Sequence, residues 1–182
     1  KEDIIRFAKE LMALYKNRVV QKRAPFEKEE EIEKAVWLDF PFNETPSQIR
    51  ALQDVFRDMA KDEPMERLIV GDVGFGKTEI ALRAALRAVV NARQTALVSP
   101  TTILCDQHYE LFKNRLGKFG IEAERLSRLE TGKKSREILK SLKSGKTDIV
   151  ISTHKIFSKN IEFKNIGLLI IDEEQKFGVA QK

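Results

Sequence analysis

The 182-residue sequence has one cysteine, two histidines and no long hydrophobic run. A single cysteine cannot form an internal disulfide, so we expect a reducing, cytoplasmic setting with Cys105 as a small buried hydrophobe. His108 and His154 lack the neighbouring ligands that a metal cluster needs. No segment reaches the ~18 apolar residues of a membrane span. The chain begins with Lys1 and lacks a signal-peptide pattern, so we expect a piece of a longer protein with no membrane partner.

Charge is distributed unevenly along the chain. The net charge is +5, and charged residues make up 34% of the sequence, which is typical of a globular domain with exposed helices. Residues 1–66 carry 12 basic and 15 acidic side chains, whereas residues 111–146 carry 11 basic and 4 acidic ones. The basic second half predicts a surface for a polyanion, although a solvated lysine-rich helix face would give the same composition.

The segment GDVGFGKT fits the phosphate-binding P-loop pattern G-x-x-x-x-G-K-[ST]. In this motif backbone N–H groups approach the phosphates, the lysine reaches the β- and γ-phosphate oxygens, and the threonine hydroxyl binds Mg²⁺. We predict a buried strand over residues 67–70 and a helix over residues 79–90. This strand–loop–helix context favours a phosphate-binding loop over a glycine-rich turn that binds no ligand. The predicted nucleotide-binding residues are Gly71, Asp72, Val73, Gly74, Phe75, Gly76, Lys77 and Thr78.

The hydrophobic pattern alternates between helix and strand along the chain. Helices are predicted over residues 3–22, over about 27–38, and from Thr45, an N-cap residue followed by Pro46. After the P-loop helix we predict strands over residues 95–99, 123–126, 148–152 and 167–171, with helices over residues 103–116 and 133–143. This alternation indicates an α/β fold, a doubly wound parallel sheet with helices on both faces.

Polar residues directly follow several predicted strands, whose carboxyl ends share one edge of a parallel sheet. Asp172 is placed like a Walker B aspartate that holds Mg²⁺, and Glu173 like the carboxylate that activates water. Alone, two acids at a strand end would be a helix N-cap, but the P-loop favours the catalytic role. Thr101, Thr102 and residues 152–155 offer hydroxyls and a cation that suit phosphates, although each short segment is a weak signal.

The motif order TPSQ, GDVGFGKT, PTT, SR, THK and DEEQ resembles the first RecA-like motor domain of superfamily 2 helicases and translocases. More narrowly, GDVGFGKTEIALRAA, PTTILCDQHYELF, STHKIF and GLLIIDEEQKFGV are similar to segments of the bacterial transcription-repair coupling factor family. The related RecG-type helicases typically have serine in place of Phe75 and lack a lysine at the position of Lys155. The resemblance implies a helical connector over residues 1–39 and part of a motor domain over residues 40–182.

Roles for individual residues follow from this resemblance. Lys77 and Glu173 would be catalytic, and Thr78 and Asp172 would hold Mg²⁺. Phe42 and Gln48 match the adenine-reading motif, although Gln48 by itself would be an ordinary surface glutamine. Gln175 stands where histidine is common in the family, at a position that links the ATP site to the DNA site. The residues implied to face DNA are Thr101, Thr102, Ser127, Arg128, Thr153, His154 and Lys155.

The activity implied by the resemblance is ATP- and Mg²⁺-dependent translocation on double-stranded DNA, which is held by its backbone without sequence preference. Coupling factors displace stalled RNA polymerase, and other domains of the full chain contact RNA polymerase and repair proteins. The family needs a second RecA-like domain with an arginine finger, and its central motif III strand follows motif II. Neither is in this sequence, so we expect the isolated chain to bind nucleotide weakly at best and not to translocate.

Several alternatives remain open from the sequence. A RecG-like fork-remodelling helicase or an RNA helicase would share most of these motifs, and the chain could be a nucleotide- or DNA-binding module without activity of its own. A P-loop kinase is disfavoured, because Asp172 and Glu173 lie about 95 residues after Lys77, with PTT and THK between them.

Overall fold

A computed structural model describes residues 22–72 and 74–173 of the chain. The helix predicted over residues 3–22 lies outside the described residues, apart from its last position. Contacts divide the chain into two compact units. Among the described residues, the first unit comprises residues 22–27, 44–72 and 74–77, and the second comprises residues 28–43 and 78–173.

The regular elements of the described ranges follow the predicted alternation closely. Each predicted element downstream of the P-loop is present, with its ends shifted by at most two residues. The helices are α1 Glu30–Leu38, α2 Pro46–Met59, α3 Lys77–Val90, α4 Thr102–Leu116 and α5 Gly132–Ser144, with short 3₁₀ helices at Gly117–Phe119 and His154–Phe157. The strands are β1 Gln94–Val98, β2 Ala123–Leu126, β3 Ile149–Ser152 and β4 Ile166–Ile171. None of the helices described here is both long and apolar enough to cross a membrane.

Helix α2 organises the first unit and begins where the sequence predicts. The Thr45 hydroxyl accepts a hydrogen bond from the backbone N–H of Gln48, and the Gln48 side chain accepts one from the backbone N–H of Thr45. This reciprocal capping box satisfies two N–H groups that a helix start leaves without intrahelical partners. One stripe of the helix is buried, comprising Leu52, Val55 and Met59.

The strand predicted over residues 67–70 is wrong. These residues adopt no regular structure, and Leu68 and Val70 are 76% and 80% exposed. An apolar run becomes a strand only when a neighbouring strand pairs with its backbone N–H and C=O groups. Within the described ranges, residues 67–70 have no such partner strand.

The second unit contains a four-stranded sheet in the order β2-β3-β1-β4, and each neighbouring pair is parallel. Strand β1 is central and fully buried, whereas β4 lies at an edge of the described sheet and leaves Ile166, Leu169 and Ile171 about half exposed. Each parallel connection passes through a helix. The predicted doubly wound α/β fold is therefore confirmed.

Successive side chains of the central strands lie on opposite faces of the sheet and belong to two separate hydrophobic clusters. Leu97 and Ile151 pack with apolar residues of α1, α3 and α4, whereas Val98 and Val150 pack with Ile138 and Leu142 of α5 and residues near them. Helices therefore cover both faces of the sheet. Cys105 of α4 is completely buried in the first cluster, and burial raises the pKa of its thiol to about 12. It is the inert hydrophobe that the sequence predicts.

Helix α1 is joined to α3 by an ion pair that is almost inaccessible to solvent. The Arg87 guanidinium donates to both carboxylate oxygens of Glu33, at 2.9 Å and 2.5 Å, and the two residues are 5% and 3% exposed. The helix begins at Glu30 rather than near residue 27, because Glu29 has an extended backbone. This bidentate contact fixes α1 against the helix that follows the P-loop.

Candidate nucleotide and nucleic-acid site

The P-loop has the backbone that its glycines predict. Gly74 and Gly76 adopt left-handed conformations, with φ of 84° and 80°, which L residues with a side chain rarely take. The ammonium group of Lys77 donates to the carbonyl oxygens of Gly71 at 2.5 Å and Asp72 at 2.8 Å. The loop therefore folds back over the ammonium group of its own lysine. Val73 lies outside the described residues.

Gln48 contacts the P-loop directly. Its side-chain nitrogen donates to the carbonyl oxygen of Phe75, while its side-chain oxygen accepts from Thr45 in the capping box. A Cβ atom added at Gly76 would lie 2.5 Å from this nitrogen, so only glycine fits there without displacing Gln48. The amide expected to read adenine therefore holds α2 and the P-loop together.

The four strands of the second unit end level with one another. Val98 of β1 is paired with Ser152 of β3 and with Ile171 of β4, and Ser152 is also paired with Leu126 of β2. The residues that follow these strands therefore lie along one edge of the sheet. Along that edge the order is Ser127 and Arg128, then residues 153–155, then Thr101 and Thr102, then Asp172 and Glu173.

Asp172 is held firmly at the end of β4. Its backbone N–H donates to the carbonyl oxygen of Val98 at 2.9 Å, and its carboxylate lies 2.8 Å from the imidazole Nε2 of His108. His108 projects from α4 and is 8% exposed. Glu173 has a left-handed backbone with φ of 52°, an uncommon conformation for a residue with a side chain and one that is concentrated at functional sites.

The predicted DNA-facing residues fall into two groups by exposure. Thr101, Arg128 and His154 are exposed, and Thr102 is half-buried. Thr101 also caps α4, because its hydroxyl accepts a hydrogen bond from the backbone N–H of Leu104 at 3.2 Å. Ser127 and Thr153 are buried, with exposures of 0% and 5%. The exposed group can reach an external phosphate, whereas the buried pair belongs to the interior of its loops.

Lys155 is engaged by the protein rather than pointing freely to solvent. Its ammonium group donates to the carbonyl oxygen of Ser127 at 2.9 Å and to the hydroxyl of Ser135 at 3.1 Å. Ser135 lies in the first turn of α5. The predicted DNA-contacting lysine therefore joins the loop after β2 and the start of α5 to the 3₁₀ helix after β3.

Phe42 is the most exposed of the aromatic residues with a predicted role. It is 71% exposed and packs edge-to-face against Phe40, with ring centroids 5.5 Å apart. An exposed aromatic ring is suited to stacking on a base.

A family model described as DEAD/DEAH box helicase matches residues 45–182, which is more than half of the sequence. The chain belongs to this helicase family.

Curated relatives of this helicase-family chain agree with the narrower resemblance. It is 48% identical to the transcription-repair-coupling factor of Borreliella burgdorferi over 182 residues, which is 100% of the chain and 16% of that protein. It is 46% identical to the transcription-repair-coupling factor of Bacillus subtilis over 175 residues, 96% of the chain and 15% of that protein. The resemblance to coupling factors is confirmed, and the chain spans about a sixth of the length of these relatives.

Solved structures support the fold. RecG bound to a three-way DNA junction superposes with a TM-score of 0.84 at 36% identity, covering 91% of this chain and 23% of that one. A hypothetical ATP-dependent RNA helicase from Sulfolobus tokodaii gives a TM-score of 0.63 at 17% identity, covering 81% and 42%. The second likeness shows the fold alone, which is the RecA-like arrangement expected from the motifs.

The residues present fit a nucleotide and Mg²⁺. Within residues 22–72 and 74–173, no group of three or more His, Cys, Asp or Glu side chains could hold a metal ion. Mg²⁺ commonly takes one or two protein oxygens and completes its shell with phosphates and water. The hydroxyl of Thr78, in the first turn of α3, and the carboxylate of Asp172 offer that chemistry.

Two residues of this edge had no assigned role from the sequence. His108 shares a face of α4 with Cys105 and Phe112, so its burial was predictable, but its contact with Asp172 depends on strand order. Glu130 accepts hydrogen bonds from the backbone N–H of Ser127 and from Arg125. Burial acts to raise the pKa of Glu130, but these hydrogen bonds outweigh it and hold the pKa below its usual value. The S-x-x-E spacing was the available signal.

Proposed function

We propose that this chain is the first motor domain of an ATP-driven double-stranded DNA translocase of the coupling-factor type. The observation that carries the proposal is the level edge of the sheet, where three adjacent strand ends carry the predicted DNA-facing residues and the next carries Asp172 and Glu173. The similarity to coupling factors at 46–48% identity supports it. In this proposal residues 1–39 are a connector and residues 40–182 belong to the motor domain.

ATP is the proposed nucleotide. The P-loop backbone and Lys77 would hold its phosphates, and Phe42 and Gln48 its adenine. Mg²⁺ bound by Thr78 and Asp172 would neutralise charge on the phosphates. Glu173 would orient and deprotonate the attacking water. Each polar atom of the Gln48 amide already makes one hydrogen bond, and its second N–H and second oxygen lone pair would pair with the base.

Double-stranded DNA is the proposed track, and its phosphate backbone the part that is contacted. The proposed DNA-facing residues are Thr101, Thr102, Ser127, Arg128, Thr153, His154 and Lys155. Hydroxyls, backbone N–H groups and cations of this kind position a protein on DNA without specifying sequence. Arg128 and His154 have the exposure that a direct phosphate contact needs.

The remaining activity is proposed for the intact protein in the cytoplasm. A second RecA-like domain would supply an arginine finger, and other segments would contact RNA polymerase and repair proteins. The isolated 182 residues are expected to bind nucleotide weakly and not to translocate. A RecG-like fork-remodelling helicase is the second candidate, favoured by the TM-score of 0.84 to RecG bound to a DNA junction.

Steady-state ATPase measurements with and without double-stranded DNA test the proposal in the longest natural polypeptide that contains these residues. Glu173→Gln should lower DNA-stimulated turnover by about a hundredfold or more, since it removes the carboxylate base. Glu162→Gln, at an exposed glutamate away from the sheet edge, is the matched control. Turnover that survives Glu173→Gln would contradict the assignment. Displacement of a stalled RNA polymerase by the same polypeptide, without fork regression, would favour the coupling factor over the RecG type.

A further inference from the structure

Two of the proposed DNA-facing loops follow neighbouring strands. Strands β2 and β3 are paired in parallel, with Leu126 opposite Ser152 at their carboxyl ends. The loop after β2 comprises residues 127–130, and the loop after β3 contains the 3₁₀ helix His154–Phe157. Paired strands end about 4.8 Å apart, so the two loops emerge side by side. Their relative position beyond the sheet depends on contacts between the loops themselves.

Lys155 makes contacts that join these loops. From the 3₁₀ helix after β3, its ammonium group reaches the carbonyl oxygen of Ser127 at 2.9 Å and the hydroxyl of Ser135 at 3.1 Å. Both bonds are partly buried, so they are shielded from competition with water. One cation thus connects the loop after β2, the start of α5 and the 3₁₀ helix after β3.

The loop after β2 is otherwise held by its own residues. Glu130 accepts from the backbone N–H of Ser127 and from Arg125 at 2.6 Å, and the Ser127 hydroxyl accepts from the backbone N–H of Leu129 at 3.2 Å. These bonds shape the loop but do not tie it to the loop after β3. The connection to the loop after β3 is the hydrogen bond that the Ser127 carbonyl oxygen accepts from Lys155.

We infer that Lys155 is a positioning residue that holds the two loops in register for DNA, rather than a phosphate contact in its own right. The positive charge that meets the backbone at this part of the edge comes from Arg128, which is exposed. The part of the inference that concerns DNA rests on the proposed function, whereas the tether between the loops does not.

Amide hydrogen exchange tests the tether in the free protein, using the longest natural polypeptide that contains these residues. The amides of Ser127 and Leu129 are hydrogen-bonded within the loop, so their exchange reports its order. Lys155→Met keeps a long apolar side chain but removes the donor, and it should speed exchange at both amides by about tenfold. Arg128→Met, the matched control in the same loop, should leave exchange slow. If exchange at the Ser127 and Leu129 amides is unchanged in Lys155→Met, the tether is overturned. Amides of β1 and β3 serve as the control for folding, because their exchange should be the same in the variant as in the unaltered protein.

The salt dependence of DNA binding separates positioning from contact. Each phosphate neutralised adds about 0.9 to the steepness of log K against log salt concentration. Lys155→Met should weaken binding to a duplex by about tenfold at every salt concentration with the slope unchanged, whereas Arg128→Met should reduce the slope by about 0.9. The double variant should keep the slope of Arg128→Met.

A slope reduced by about 0.9 in Lys155→Met would overturn the inference, because it would identify Lys155 as a phosphate contact. Ser135→Ala gives an independent check, since Ser135 belongs to no proposed DNA-facing motif and its hydroxyl accepts from Lys155. It should weaken binding in the same direction, by less. If the unaltered protein shows no salt-dependent binding to duplex DNA, the proposed function fails, and the exchange measurement still decides whether the tether exists.

Discussion

Removal of the Glu33 carboxylate offers a sharp test of how α1 is held. Arg87 donates to both oxygens of this carboxylate, and the two side chains are 6% and 3% exposed. Glu33→Ala would remove the carboxylate to which the buried guanidinium donates two hydrogen bonds. Breaking a buried ion pair by deleting one partner costs about 3–5 kcal/mol, because the remaining charge keeps its desolvation penalty.

The expected change in thermal stability follows from chain size. For domains of this length a loss of 1 kcal/mol lowers the unfolding midpoint by about 2–4 °C, so Glu33→Ala should lower it by about 6–20 °C. Glu30→Ala is the matched control: it lies in the same first helical turn and removes an ion pair with Lys28 in which both side chains are largely exposed. Exposed pairs contribute little, so its effect should be far smaller.

Thermal unfolding followed by circular dichroism measures both variants, and a double-mutant cycle isolates the pair. Arg87→Ala should be destabilising alone, but the double variant should lose less than the sum of the two single losses, since it leaves no charge behind. The reasoning is refuted if Glu33→Ala costs no more than Glu30→Ala, or if the two single effects at Glu33 and Arg87 are additive.

Two further predictions concern the candidate site and the pH dependence of stability. His108→Leu should weaken Mg²⁺-dependent ATP binding, measured by isothermal titration calorimetry, by about tenfold or more, because the imidazole orients the Asp172 carboxylate at 2.8 Å. His108→Gln should lose less affinity. Equal Mg²⁺-dependent ATP affinities for the two variants would contradict this prediction. Burial raises the pKa of Asp148, so the folded chain binds more protons than the unfolded chain and loses stability as pH rises above ~3.9 through the folded pKa. Asp148→Asn can still accept from the backbone N–H of Glu122 and carries no charge. The difference in urea midpoint between this variant and the unaltered chain should therefore shift in favour of the variant between pH 3.5 and pH 7. A difference that is the same at both pH values would show that folding does not raise the pKa of Asp148.

The sequence predicted the helices and strands whose formation depends on interactions between neighbouring residues. The Thr45 N-cap with Pro46 marked the start of α2 to the residue, and the apolar runs after the P-loop marked four strands. Their loops were expected to share an edge because parallel strands point the same way, and the register confirms this for the four strands of the sheet. Such features need only a few neighbouring residues.

Features that depend on distant partners have no local signal in the sequence. Residues 67–70 have a strand-like composition, but composition does not supply the neighbouring backbone that a strand requires. His108 lacks the neighbouring ligands of a metal site, and its contact with Asp172 depends on β1 and β4 being neighbours in the sheet. Lys155 was predicted from its motif to face DNA, and no local pattern indicates that it reaches Ser135.

The level strand ends also set a length scale. Strands β2, β3 and β1 are consecutive in the sheet, and their two spacings of about 4.8 Å place the outer two of these loops about 10 Å apart. One strand of duplex DNA advances about 3.4 Å per base pair along the helix axis. Under the proposed function, the row spans about three base-pair steps of the duplex, so a movement of a single base pair would shift the DNA by less than the distance between neighbouring loops.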